Sequence, residues 1–519
     1  MTDALHAFAT LGTQTLRALD RYPDRAAFAW DGGTITYAAT RALIGRMQAV
    51  FLAAGLRAGD RMALLTANGV ETWCASVAAQ LCGVAITWLH PLGSLPDQLD
   101  QIADADARIL VVDATAASAR GGELAAGAPG LIVFTIGPAE YGTDLLAAAE
   151  RAGVVSARDL ATADDVATMV YTGGTTGKSK GVLRTHREHA GFTSAILADF
   201  EIPQTPRYLA VAPISHVAGT KVLPVLCKGG TVHMRDGFDP DAVLRTIARE
   251  RINFVLLVPT MIYVLLAHPA LDRSDLSSLE YLLYGASPMS PSRLLEGLER
   301  IGPVFAQLYG QTECYPVSVL RKADHDRARP DLFLSCGFPI SACDVRGHDE
   351  NDHPVPVGEP GEICVRAPHA MREYWRRPEQ TAEALRNGWL HTGDIARADE
   401  RGYLFILDRK KDMIVTGGFN VYPREVEDVL ATHPDVAMVA VIGVPDAKWG
   451  EAVKAVVVPR PGAARDAEAL IALVKSRKGG PHAPKSVDFV DRLPLTGVGK
   501  VDKKVLRAQH WAGRERMVG

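Results

Sequence analysis

Short apolar runs of strand length recur along the 519-residue chain, each closed by a polar or Gly/Pro loop and followed by a segment with the apolar spacing of a helix. They read RMALLTAN, RILVVD, LIVFTIG, ATMVYT, YLAVAP, NFVLLVP, LEYLLYG and VFAQLYG. Strands that alternate with helices predict an α/β fold of mainly parallel sheets. Such sheets bind ligands beyond the carboxyl ends of their strands, so the loops opening at Thr172, Pro213, Pro259, Gly285 and Gly310 are expected to share one crevice. Near residue 409 the texture changes. The stretch DRKKDMIVTGGFNVYPREVEDVLATHPD leads into two β-rich runs, VAMVAVIGVPD and AVKAVVVPRPG, then a helical AEALIALVKSRK and a basic tail. The expected organisation is a large N-terminal domain of several α/β subdomains over 1–408, a junction at 409–411 and a small α+β domain over 412–519.

A chain of this length holds roughly two to four folding units. With 47% hydrophobic and 22% charged residues and a net charge of -4, it is an ordinary globular composition. Disorder and bulk attraction to nucleic acid are thereby disfavoured, and any anion site must be local. The seven cysteines (Cys74, Cys82, Cys227, Cys314, Cys336, Cys343, Cys364) form no C-x-x-C pair, which weighs against a disulfide framework or a zinc site and fits a reducing cytoplasm. The first 25 residues lack a basic segment followed by an apolar core, so no secretory signal is expected. The greasy stretch VAAQLCGVAITWLH is interrupted by Gln80 and Gly83 and falls short of the roughly 20 residues of a membrane span.

Candidate chemistry begins at VYTGGTTGKSKGV, residues 170–182. A P-loop requires glycine five residues before the glycine of Gly-Lys-Ser/Thr, and here that position is Thr172. What remains is a loop with hydroxyls on Tyr171, Thr172, Thr175, Thr176 and Ser179 and ammonium groups on Lys178 and Lys180, a composition suited to polyphosphate in another geometry. Further motifs follow: APISHVAG (212–219), YGAS (284–287), QLYGQTE (307–313), GWLHTGD (388–394), DRKKDMI (408–414), GGFNVYPREVE (417–427) and PLTGVGKVDKKVLR (494–507). In this order and spacing, over nearly the whole chain, they resemble the adenylate-forming superfamily of acyl-CoA synthetases, luciferases and peptide-synthetase adenylation domains. Two positions depart from the pattern: Ser179 stands where the superfamily usually has proline, and Asp408 where glycine often precedes the arginine.

The resemblance implies a two-step reaction. A carboxylic acid attacks the α-phosphate of ATP, giving acyl-AMP and pyrophosphate, and a thiol then takes the acyl group. It implies that Thr172, Gly173, Gly174, Thr175, Thr176, Gly177 and Lys180 hold phosphate, and that Glu313 ligates Mg2+. Gly285, Ala286, Ser287, Gly310 and Thr312 are expected to line the nucleotide site, Tyr309 to pack on adenine, and Asp394 and Arg409 to take the ribose hydroxyls. Lys500 would bridge carboxylate and α-phosphate, and Lys411 would be the pivot of a mobile C-terminal domain. The acyl pocket would be lined by His216, Val217, Thr220, Tyr284, Gly285 and Gly310. For each there is a plainer reading: Lys500 as one more solvated lysine of the tail, Glu313 as a helix cap, Asp394 as a turn residue, His216 as a core histidine.

Amino-acid-activating members hold the substrate ammonium with an acidic residue that SHVAGTKV lacks. A helical wheel from His216 places Thr220 on the same face and Lys221 about 140° away, pointing out of the pocket. A hydrophobic monocarboxylate (fatty, alicyclic or aryl) is therefore expected, with CoA as acceptor and Gly418 beside the pantetheine arm. No nucleic-acid partner is expected, and a homodimer is the oligomer considered. The alternatives are a ligase loading a carrier protein, a homologue keeping one half-reaction, a luciferase-like oxygenase, a P-loop NTPase and a catalytically reduced binding protein.

Overall fold

The computed structural model describes residues 9–172, 179–417, 419–446, 448–495 and 501–511. Among these residues the strands form sheets of nine, eight, four and five. Each of the eight apolar runs is a strand: Arg61–Leu65, Ile109–Asp113, Ile132–Ile136, Val166–Thr172, Arg207–Ala210, Phe254–Leu257, Tyr281–Gly285 and Phe305–Gln311. The last four lie side by side and parallel in the nine-stranded sheet, whereas Val166–Thr172 belongs to the eight-stranded one. The loops expected to share one crevice thus come from two sheets.

Burial explains the sequence pattern. Ile109–Asp113 is buried at all five positions because helices cover both faces, so an unbroken apolar run is stable there. In the nine-stranded sheet the two-residue period sorts side chains between two layers. Tyr208, Phe254, Leu256, Tyr281, Leu283 and Leu308 join a cluster shared with the eight-stranded sheet and with the helices Leu11–Arg21, Tyr37–Ala53, Val70–Leu81 and His186–Asp199. Leu209, Val255, Leu257, Leu282, Tyr284 and Phe305 face the outer helices Pro240–Arg249, Pro259–Ala267 and Pro291–Arg300. Local signals start the helices: Thr185 and Glu188 form a reciprocal capping box, and Ser94 and Asp239 cap helices with proline in the first turn.

An antiparallel sheet of Asp344–His348, Gly361–Arg366, Leu390–Ala398 and Leu404–Arg409 is absent from the predicted strands: GWLHTGD and DRKKDMI stand out there only as motifs, and Asp344–His348 and Gly361–Arg366 carry no long apolar run. Arg409 ends this sheet, a 3-10 turn spans Lys410–Asp412, and the five-stranded sheet begins at Ile414–Thr416. The helices Pro423–Leu430 and Ala467–Lys478 pack on that sheet through Val426, Val429, Leu430, Leu470 and Val474. The departure at Asp408 has a role here. Its carboxylate accepts the backbone N–H of Arg409 at 2.7 Å and that of Arg424 at 3.0 Å, tying the junction to the first turn of Pro423–Leu430. Among the described residues, no helix is long and apolar enough to cross a membrane.

Candidate active site

The site is assembled where the two large sheets meet. Phe305–Gln311 and Cys314–Leu320 form a tight antiparallel pair, and the corner between them carries Thr312 and Glu313. Two side chains from the eight-stranded sheet clasp that corner. Buried Arg184 of Lys180–Thr185 donates to the Thr312 carbonyl at 2.5 Å, and Tyr374 donates its hydroxyl to Glu313 Oε1 at 2.8 Å. The N–H of Met371 donates to the Glu313 carbonyl at 2.6 Å. Thr172 ends its strand opposite Lys180, whose ammonium sits 4.6 Å over the Tyr374 ring.

A second group converges from the four-stranded sheet. Asp394 receives the Tyr309 hydroxyl at 2.6 Å on Oδ2 and the Arg409 guanidinium at 2.6 Å on Oδ1. Burial and the neighbouring Asp394 carboxylate push the Tyr309 hydroxyl well above its ordinary pKa, so it remains a donor. Asp394 likewise holds Arg409 above its ordinary value. The aim of Asp394 depends on a bulge: Glu362 pairs with Ile395 but Cys364 with His391, leaving Thr392–Asp394 opposite a single residue. Gly393 takes φ +70° inside it, a conformation that glycine adopts without strain.

At the other strand ends space is the constraint. A Cβ on Gly285 would lie 2.5 Å from the Leu308 carbonyl oxygen, and one on Gly310 2.9 Å from Tyr315 Cδ2. Ala286 follows at φ +66°, ahead of Ser287. His216 places Nδ1 2.8 Å from Ser215 Oγ and stands edge-on to His90 with ring centres 5.6 Å apart. Val217 packs against the main core, and its carbonyl accepts the Thr220 hydroxyl at 2.7 Å. Lys411 lies in the Lys410–Asp412 turn, where burial lowers its pKa.

Two pocket expectations are corrected. Tyr284 does not line the crevice: its ring is fully buried on the outer face of the nine-stranded sheet, with the hydroxyl 3.0 Å from His325 Nε2. Strand alternation dictates this, since Leu283 takes the inner face. Lys221 does not point outward either. Residues 214–218 are turns, and Gly219–Lys221 is a 3-10 segment of about three residues per turn, so a wheel drawn for an α-helix misplaces it. The side chain is fully buried, its ammonium bonded to Thr220 Oγ1 at 2.8 Å and to the Tyr315 hydroxyl, and 5.4 Å from the Phe200 ring centre. Burial drives its pKa well below the ordinary lysine value, which disfavours the charged form.

Gly173, Gly174, Thr175, Thr176, Gly177, Gly418 and Lys500 lie outside the described residues. Sequence reasoning passed over Arg184, Tyr374 and Tyr315. Arg184 alone left a signal, as a charge inside the apolar strand KGVLRT.

The AMP-binding enzyme family matches residues 16–375, and the AMP-binding enzyme C-terminal domain matches residues 425–500. A medium/long-chain-fatty-acid–CoA ligase of Mycobacterium tuberculosis, FadD8, is 46% identical over 486 residues, covering 90% of this chain and 84% of the relative. A feruloyl-CoA synthase of an Amycolatopsis species is 39% identical over 96% of this chain and 98% of its own. Among solved structures, the amide bond synthetase McbA of Marinactinospora thermotolerans superposes with a TM-score of 0.90 at 36% identity, covering 96% of this chain and 99% of that one. The strand-end site and these matches agree: the chain belongs to the AMP-binding enzyme family, in the acyl-CoA synthetase branch of the adenylate-forming superfamily.

Proposed function

We infer that this enzyme joins a hydrophobic monocarboxylate to CoA in two steps. The carboxylate oxygen attacks the α-phosphorus of ATP and pyrophosphate leaves; the CoA thiolate then attacks the acyl carbon and AMP leaves. The observation that carries the reading is the convergence of Tyr309, Asp394 and Arg409 beside the Thr312–Glu313 corner at the strand ends. In this reading Asp394, paired with Arg409 and Tyr309, accepts the ribose hydroxyls. Tyr309 presents its ring to adenine.

Glu313 suits Mg2+. Among the described residues Tyr374 engages only its Oε1, and this ion favours one or two carboxylate oxygens with phosphate and water. Bound there, the ion would offset the charge of the polyphosphate. Arg184, by holding the Thr312 carbonyl, fixes the corner from which Glu313 projects.

Hydrophobic acids are favoured because the His216–Thr220 segment itself carries no acidic residue and because burial disfavours the charged form of Lys221 behind Thr220. The named acids of the two relatives, fatty and feruloyl, have that character. The test is to follow pyrophosphate release and thioester formation separately across a panel of acids, with and without CoA. Apolar acids should give both signals, and malonate and free amino acids neither. Lys500→Ala should abolish pyrophosphate release yet still convert a supplied acyl-adenylate to thioester. A variant that releases pyrophosphate at a near-normal rate overturns that role for Lys500.

A further inference from the structure

Away from the nucleotide residues, the four-stranded sheet gathers a second set of reactive side chains. Register brings them together: Cys364 pairs directly with His391 on one side and with Arg346 on the other, and His348 lies two residues along from Arg346, hence on the same face. Each of the three offers a ligand atom, and these atoms lie within 4.8 Å of one another. His348 is 5% exposed, Cys364 0% and His391 8%.

Hydrogen bonding shows which atoms are unspoken for. Neither ring nitrogen of His348 has a hydrogen-bond partner among the described residues, although the side chain is buried against Trp389 and His391. An orphaned buried imidazole is costly unless something else takes a lone pair. His391 has Glu362 Oε2 3.4 Å from Nδ1 and Asp352 Oδ1 3.8 Å from Nε2. Cys364 Sγ stands 3.3 Å from His391 Nδ1 and 3.9 Å from Nε2. In a tetrahedral site with Zn–S near 2.3 Å and Zn–N near 2.0 Å, sulfur and nitrogen are about 3.5 Å apart, between those two separations.

We propose that His348, Cys364 and His391 form a zinc site, with His391 Nε2 as ligand and Glu362 holding the proton on Nδ1. A carboxylate that orients a ligating histidine in this way is the usual outer partner of protein zinc. One thiolate and two imidazoles leave the fourth position for water or a carboxylate oxygen, Asp352 being at hand. The thiol proton is released to solvent on binding, and no redox change is involved. Soft sulfur with imidazole selects zinc over magnesium or calcium. Zinc with one thiolate keeps one positive charge; Glu362 and Asp352 lie beside the histidines, where they also pair with Arg386 and Lys410. A cleft of about 420 Å³ lined by His348, Asp352, Trp389 and Arg366 gives an entry path. The role is structural, a clip across three strands of the sheet that carries Asp394.

A second sulfur-containing group, Cys314, Cys343 and His369, is less suited, because His369 Nε2 already bonds the Pro316 carbonyl at 2.8 Å and Arg184 adds positive charge beside Cys314. The two are separable by experiment. Full-length enzyme, stripped with chelator, is titrated with Co2+ alone. The expected result is a near-ultraviolet thiolate-to-cobalt band and intense visible bands of tetrahedral cobalt, saturating at one ion per chain and displaced by Zn2+. Cys364→Ser should abolish the near-ultraviolet band, whereas Cys343→Ser should leave it intact. Glu362→Gln should weaken zinc about 10- to 100-fold, and His348→Ala should weaken it further. Should Cys364→Ser fail to fold, X-ray absorption at the zinc edge of the unaltered enzyme decides, expecting one sulfur and two imidazole nitrogens. An oxygen-only shell, no cobalt band, or a band lost in Cys343→Ser and kept in Cys364→Ser overturns the proposal.

Discussion

Lys221 shows how one buried amine alters the energetics of a pocket. Its partners are hydroxyls and aromatic faces, so the charged form is disfavoured and its folded pKa lies below the unfolded value. Between the two values the unfolded chain binds the extra proton, so this residue makes stability rise with pH toward the ordinary lysine range near 10.4. Lys221→Met should therefore stabilise the enzyme at neutral pH, with the advantage shrinking as pH rises. Melts from neutral to alkaline pH read this directly; an advantage constant with pH would mean the lysine is charged in the fold. Asp394 poses the opposite case, a carboxylate that needs its charge. Asp394→Asn retains an oxygen for the Tyr309 hydroxyl but loses the ion pair with Arg409. A charged hydrogen bond contributes about 1.5–3 kcal/mol, so kcat/KM for ATP should fall roughly 10- to 100-fold, with a lower melting temperature from the broken ion pair. A normal value for ATP would remove Asp394 from the nucleotide site.

Among the elements, the junction strand and the helix that follows it are coupled by Asp408. Buried, and crowded by Glu427 and Asp412, its carboxyl is held above the usual range, yet it still accepts two backbone N–H groups. Lys503 lies 2.8 Å from Glu427 and only 3.9 Å from Asp408, so Glu427 is its principal partner. Asp408→Gly, which installs the residue more usual in the superfamily, should remove the tie to Arg424 and destabilise the junction by about 1 kcal/mol. Limited proteolysis near Lys410–Asp412 should accelerate while the N-terminal domain stays resistant. Unchanged cleavage would show that Arg507, bonded to Asp412, holds the junction by itself.

At the scale of the molecule, two half-reactions must use one set of strand ends, and we expect the junction to be where the C-terminal domain turns between them. Lys411→Pro fixes φ near -65° and restrains the residue before it. Thioester formation from supplied acyl-adenylate should then fall by at least on the order of tenfold more than pyrophosphate release. Equal losses would place the pivot elsewhere. The chain by itself determined the eight apolar strands and the candidate chemistry, but not the four-stranded sheet. Apolar runs buried on both faces announced the parallel strands, and motifs such as YGQTE and HTGD carried Glu313 and Asp394, because local spacing and residue type suffice for both. Tertiary structure decided which way side chains face and what meets across distance. Strand alternation sent Tyr284 into the core, and a 3-10 turn carried Lys221 inward. Arg184 and Tyr374 reach the Thr312–Glu313 corner from another sheet, and His348, Cys364 and His391 become neighbours only through strand register. Such contacts join residues tens to hundreds of positions apart, so no local pattern encodes them.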